Sequence, residues 1–177
     1  ALRALGQTLE SRVLSAGLVD AAGTLADDLG VAPGDPLVRL RRLRSVDGEP
    51  LTLEEAHLPA RRFPGLETRD FDRRSLYDVL AEDYGCAVAS ADETLEQVVL
   101  APAEAALLGV TRRSPALLVR RLTRDRSGRR VEHAEALVRG DRARLVLRRS
   151  VAGFGTVEPG AAGPAAITGA SPVPDLA

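Results

Sequence analysis

Residues 37–59, LVRLRRLRSVDGEPLTLEEAHLP, constrain this chain more than any other stretch, because they read as two strands joined by a tight turn and stopped by a proline. Period-2 alternation puts Val38, Leu40, Arg42 and Arg44 on one face of the first strand, and Leu37, Arg39, Arg41 and Leu43 on the other. One face therefore passes from an apolar pair to an arginine pair. Such a pair is either solvated charge on an edge strand or a set of planar forks able to grip a carboxylate or phosphate.

The turn decides what those arginines meet. With Asp47 and Gly48 as a two-residue loop, Val46 pairs with Glu49, Arg44 and Arg42 face Leu51 and Leu53, and Glu54 lies on the far side. With Val46, Asp47 and Gly48 as a three-residue loop, Ser45 pairs with Glu49, and Arg42, Arg44, Thr52 and Glu54 share a face. Asp-Gly is the stronger local signal for the first, and the residues alone leave the register open.

With 177 residues and 45% hydrophobic content, one well-packed domain is the default, and a wholly disordered or fibrous chain is excluded. A net charge of -1 gives no whole-surface attraction for nucleic acid or acidic membranes. Every basic residue is an arginine, so arginine carries functional weight only where its position supports it. The single cysteine, Cys86, allows neither an internal disulfide nor a Cys-rich zinc site and suits a reducing cytoplasm. No apolar run approaches the roughly 20 residues that span a bilayer, and no signal-peptide pattern opens the sequence. A soluble cytoplasmic chain without a membrane partner is expected.

Before the hairpin, residues 8–20 alternate as a strand with a break expected near Gly17, and residues 21–29 read as a short helix closed by Gly30. After it, residues 60–71 form a connecting loop anchored by Phe63 and Leu66. Ser75 then stands at an N-cap position with Asp78 three residues on, and Leu76, Val79 and Leu80 supply the apolar stripe of a helix ending at Gly85. Residues 88–99 read as a strand with Ala89, Ala91, Glu93, Leu95 and Val99 on one face, and Pro102 opens a short helix capped by Gly109. Residues 116–124 and 130–139 are strands joined across Ser127-Gly128, and the second puts Glu132 on a face with Ala134, Ala136 and Val138. Residues 144–149 add a last strand to a domain over 1–150, and the Gly, Ala and Pro of 151–177 predict a flexible tail. No repeat of fixed period is read, and the fold class is strand-rich α+β.

Ser75 is either a plain helix cap or a hydroxyl that joins free backbone amides in binding an anion. His57 and His133 lack metal-binding spacing and a neighbouring cysteine, so no metal and no cofactor are expected. No nucleophile elbow, P-loop or dinucleotide-binding glycine turn is present.

Taken in order, LRRLRSVDGEPLTLEEAHLP, SLYDVL, ADETLE, EAALLGV and LLVRRLTRDRSGRRVEHAEALVRGDR resemble the UTRA domain, the effector-binding domain of HutC-type regulators in the GntR family, over residues 9–149. The resemblance implies a chorismate-lyase-like fold, a largely antiparallel sheet with flanking helices, and a homodimer. It implies a small anionic effector such as a sugar phosphate or organic acid. The implied binding groups are Arg42 and Arg44, Glu54 on the next strand, Ser75 and Leu76 where the helix opens with SLY, Glu93, and Glu132. It therefore favours the three-residue loop, which puts Arg42, Arg44 and Glu54 together. The family's winged helix-turn-helix is not in this sequence, so operator DNA is expected as a partner of the parent protein. Ala143 and Val138 stand where many members carry aromatics, which weakens the expectation of sugar stacking. A chorismate-lyase-like enzyme and a dimerisation module without ligand are the rival readings, and no catalytic residues are assigned.

Overall fold

The computed structural model describes residues 9–142 and two short paired strands, Val157–Glu158 and Ala166–Ile167. The expected strand over 144–149 and the rest of the expected tail lie outside the described residues. Strands β1 (Leu9–Asp20), β2 (Pro36–Val46), β3 (Glu49–Pro59), β4 (Val88–Val99), β5 (Pro115–Asp125) and β6 (Arg130–Arg139) form one sheet in the order β1-β2-β3-β6-β5-β4. Every neighbouring pair is antiparallel. The arginine strand β2 is thus flanked on both sides, and the edge-strand reading of Arg42 and Arg44 is excluded.

The sheet is built twice from the same unit. Strand β1, helix α1 (Gly23–Leu29) and the β2-β3 hairpin are followed by β4, helix α3 (Pro102–Leu107) and the β5-β6 hairpin. The two units match at an offset of 79 residues, as from Gly30 to Gly109, Pro36 to Pro115 and Arg42 to Arg121. The hairpin turns shift the offset to 80, as from Glu55 to Glu135, and those two glutamates are directly paired where β3 meets β6. A pseudo-twofold axis therefore runs through the Glu55 and Glu135 pair. This repeat escapes reading of the sequence because only short pieces persist in both copies, LGV and RRL among them.

The hairpin register combines features of both alternatives. Asp47 and Gly48 form a two-residue turn with φ of 53° and 78°, and Val46 pairs with Glu49. Positive φ at both positions matches the primed turns that suit twisted hairpins. A bulge at Leu51 then shifts the pairing, so that Arg44 faces Thr52 and Arg42 faces Glu54. The three-residue loop is wrong, yet the shared face it was invoked to create exists, because the bulge restores the parity that the shorter loop removed. The second hairpin carries its own bulge at the equivalent residue, Val131, between the Thr123–Glu132 and Arg124–Arg130 pairs.

Two other expectations shift by a residue or more. Strand β1 runs unbroken through Gly17, and its irregularity sits at Leu14 instead. In β4 a bulge at Ala89 puts Val88, not Ala89, against the core.

Helix α2 (Leu76–Tyr84) covers one sheet face. Its Leu76, Val79 and Leu80 pack with Val38, Leu40, Ala56, Leu58, Phe63, Phe71 and Val131 in the main core. Gly30 and Gly85 close α1 and α2 in left-handed geometry, which an L side chain adopts only at a cost. Helices α1 and α3 lie on the opposite face, over Leu37 and over Leu43, Leu53 and Ala116 respectively. Among the described residues no helix is long and apolar enough to cross a membrane.

Candidate functional site

The alternation of β2 does the positioning. Val38 and Leu40 lie in the core under α2, and continuing along the same face Arg42 and Arg44 emerge beyond it. Glu54 lies directly across from Arg42 and forms an ion pair with it that is nearly closed to solvent, the side chains being 6% and 12% exposed. Arg44 Nη1 lies 3.8 Å from the other oxygen of Glu54. Burial works against ionising Glu54, but the charges of Arg42 and Arg44 prevail and hold its pKa below the usual carboxylate value. Burial pushes the pKa of Arg44 down, with Glu54 opposing and Arg42 and Arg121 adding to the depression. One glutamate thus answers two desolvated arginines. Arg42 Nε is buried and has no hydrogen-bond partner among the described residues, a donor left for something the chain does not supply.

A second group faces this pair across the axis. Glu132, fully buried on β6, accepts hydrogen bonds from Tyr77 Oη at 2.7 Å and Thr123 Oγ1 at 3.1 Å. Burial, reinforced by the charge of Glu54, raises its pKa and outweighs Tyr77 and Arg121. Tyr77 is itself raised, first by burial and then by Glu132. Arg121 donates from Nε to Glu93 Oε1 at 2.5 Å and from Nη1 to Tyr77 Oη at 3.4 Å. Burial opposes its charge, while Tyr77 and Glu93 more than offset that and raise its pKa.

The structure thus brings together Arg42, Arg44, Glu54 and Glu132, with Glu93 joined through Arg121. Leu76 is a core residue. Ser75 occupies the N-cap position of α2, but its side chain makes no capping hydrogen bond. Reading the sequence missed Arg121, Thr123 and Tyr77. The first two were signalled by the repeat, since Arg121 and Thr123 stand at the positions of Arg42 and Arg44. Tyr77 had no separable signal, because it follows two residues already assigned to a cap and a core stripe. Among the described residues no group of three His, Cys, Asp or Glu side chains is placed to hold a metal ion.

Buried arginines that outnumber the firmly ionised carboxylate between them form an anion site, with Glu132 and Tyr77 as neutral hydrogen-bonding groups for hydroxyls. Comparison with known proteins agrees with this architecture. The UTRA domain matches residues 4–144. The chain is 36% identical over 118 residues to the HTH-type transcriptional repressor PhnF of Mycolicibacterium smegmatis, covering 67% of this chain and 48% of PhnF. It is 29% identical over 145 residues to the HTH-type transcriptional repressor NagR of Bacillus subtilis, covering 82% of this chain and 59% of NagR. Both relatives are GntR-family transcriptional regulators. The chain spans about half the length of these relatives. The crystal structure of the effector domain of PhnF from Mycobacterium smegmatis superposes with a TM-score of 0.75 at 33% identity, covering 79% of this chain and 86% of that one. With an antiparallel sheet shared with that effector domain and a match over most of its length, the chain belongs to the UTRA domain family.

Proposed function

We propose that this chain is the effector-sensing part of a transcriptional regulator and that it takes a small anionic metabolite, a sugar phosphate or an organic acid, at Arg42 and Arg44. The observation that carries this reading is the shortage of negative charge around those two arginines, with Glu54 as the one carboxylate paired to both. An anion entering there replaces water around a guanidinium already largely desolvated. Glu54, Ser75, Glu93 and Glu132 complete the proposed set of binding groups. Effector binding would bias the DNA affinity of a helix-turn-helix elsewhere in the parent protein, which is what PhnF and NagR, as HTH-type repressors, suggest by their names. The reading is of a cytoplasmic, homodimeric and non-catalytic domain.

A thermal-shift screen across sugar phosphates, phosphonates and organic acids tests it. A true effector at about 100 times its Kd adds roughly 2.7 kcal/mol of stability. The same ligand should leave Arg44→Ala unshifted. Stabilisation by no anionic metabolite, or turnover of chorismate by the purified chain, would contradict the reading.

A further inference from the structure

We propose that Arg121 forms a second anion subsite, related to Arg42 by the internal pseudo-twofold axis, and that the effector of this chain carries two acidic groups at opposite ends. The inference deepens the proposed function and rests on that reading. Arg121 stands 79 residues after Arg42 in an RRL triplet repeated from Arg41-Arg42-Leu43 to Arg120-Arg121-Leu122. The axis through Glu55 and Glu135 carries one arginine onto the other, on the same sheet face. They sit three strand spacings apart, roughly 14 Å laterally, with Glu54, Ala136, Ala134 and Ala56 between them on that face. The three alanines leave a shallow floor on which a short linear molecule can lie.

The two arginines differ in what holds them. Glu54 faces Arg42 directly and is buried with it. The corresponding position opposite Arg121 is Ala134, so Arg121 reaches to Glu93 on the edge strand β4. Glu93 is 40% exposed while Arg121 is 17% exposed. A ligand carboxylate can therefore displace Glu93 into water without stranding a buried charge, whereas displacing Glu54 would strand one. Once Glu93 leaves, three arginines face Glu54 and a Glu132 held toward its neutral form. That excess of positive charge matches a doubly acidic ligand better than a singly acidic one.

The test uses two open-chain probes that differ at one end, 6-phosphogluconate and sorbitol 6-phosphate, titrated calorimetrically into the chain and its variants. The wild-type chain should bind 6-phosphogluconate about tenfold tighter, the equivalent of one charge-assisted contact. Arg121→Gln should erase that preference while leaving sorbitol 6-phosphate unchanged, and Glu93→Gln should tighten 6-phosphogluconate by removing its competitor. Circular dichroism melts of the variants establish that they fold. Equal affinity for both probes, lost for both in Arg44→Ala, would overturn the second subsite and leave the proposed function standing. Binding of neither probe, or binding indifferent to Arg44→Ala, would overturn both.

Discussion

Glu54 and Glu132 share one buried site yet are driven to opposite protonation states. Glu54 is surrounded by guanidinium groups that overcome its burial, and its pKa falls. Glu132 has only hydroxyl donors in direct contact, and burial with the nearby charge of Glu54 raises its pKa. The signs give distinct pH dependences. The contribution of Glu54 to stability is present above the ordinary glutamate pKa and is lost as pH falls through its depressed folded value. That of Glu132 is complete below the ordinary pKa and is lost as pH rises through its elevated folded value. Chemical denaturation across pH should therefore show Glu132→Gln gaining on the wild type as pH rises from about 4.5, the ordinary value, with parity below it. A gap that widened toward acid would mean that Glu132 is ionised in the folded chain. The arginine pair and both glutamates were legible in the sequence because alternation assigns faces without any knowledge of partners. Their protonation states were not, since these depend on Tyr77 and Thr123, which reach Glu132 from a helix and a neighbouring strand.

At the scale of the element, local chemistry predicts where helices and strands begin and end, but not where strands bulge. Gly30 and Gly85 mark helix ends in both sequence and structure, and β4 and β6 fall where alternation puts them. The bulge at Leu51 has no residue signature, and it overturned both candidate registers in part. Gly48, at φ 78°, has open space where a Cβ would stand, so Gly48→Ala meets no clash. Its cost should be conformational alone, about 1 kcal/mol in equilibrium denaturation. Ser75→Ala provides a contrasting case. A capping serine usually contributes about 1 kcal/mol, but this side chain makes no capping bond, so its removal should change stability by less than about 0.5 kcal/mol. A loss near the usual value would show that the cap forms in solution. Leu80, fully buried between α2 and the sheet, should cost roughly 2 to 5 kcal/mol on truncation to alanine.

For the whole molecule, duplication accounts for why a binding face lies at the middle of the sheet. Two βαββ units join by their last strands, which brings equivalent residues of both hairpins to the axis between β3 and β6. Helix α2, which has no counterpart, breaks the symmetry by covering Val38, Leu40 and Leu58 on the first unit and supplying Tyr77 to Glu132. Closed twofold assembly is the commonest soluble arrangement, and a dimer is expected in sedimentation equilibrium at micromolar concentration; a single monomeric species would remove that part of the proposal.

The central claim is that the face carrying Arg42 and Arg44 is the one that binds the effector. Arg41 is a neighbouring arginine on the same strand that points to the opposite face, where its Nε lies 3.8 Å from Glu55. Isothermal titration of the wild type, Arg44→Ala and Arg41→Ala with the metabolite found by thermal shift compares the two faces directly. Arg44→Ala should weaken binding by roughly 2 to 4 kcal/mol and Arg41→Ala by less than about 0.5 kcal/mol. Equal losses, or a larger loss from Arg41→Ala, would contradict the account.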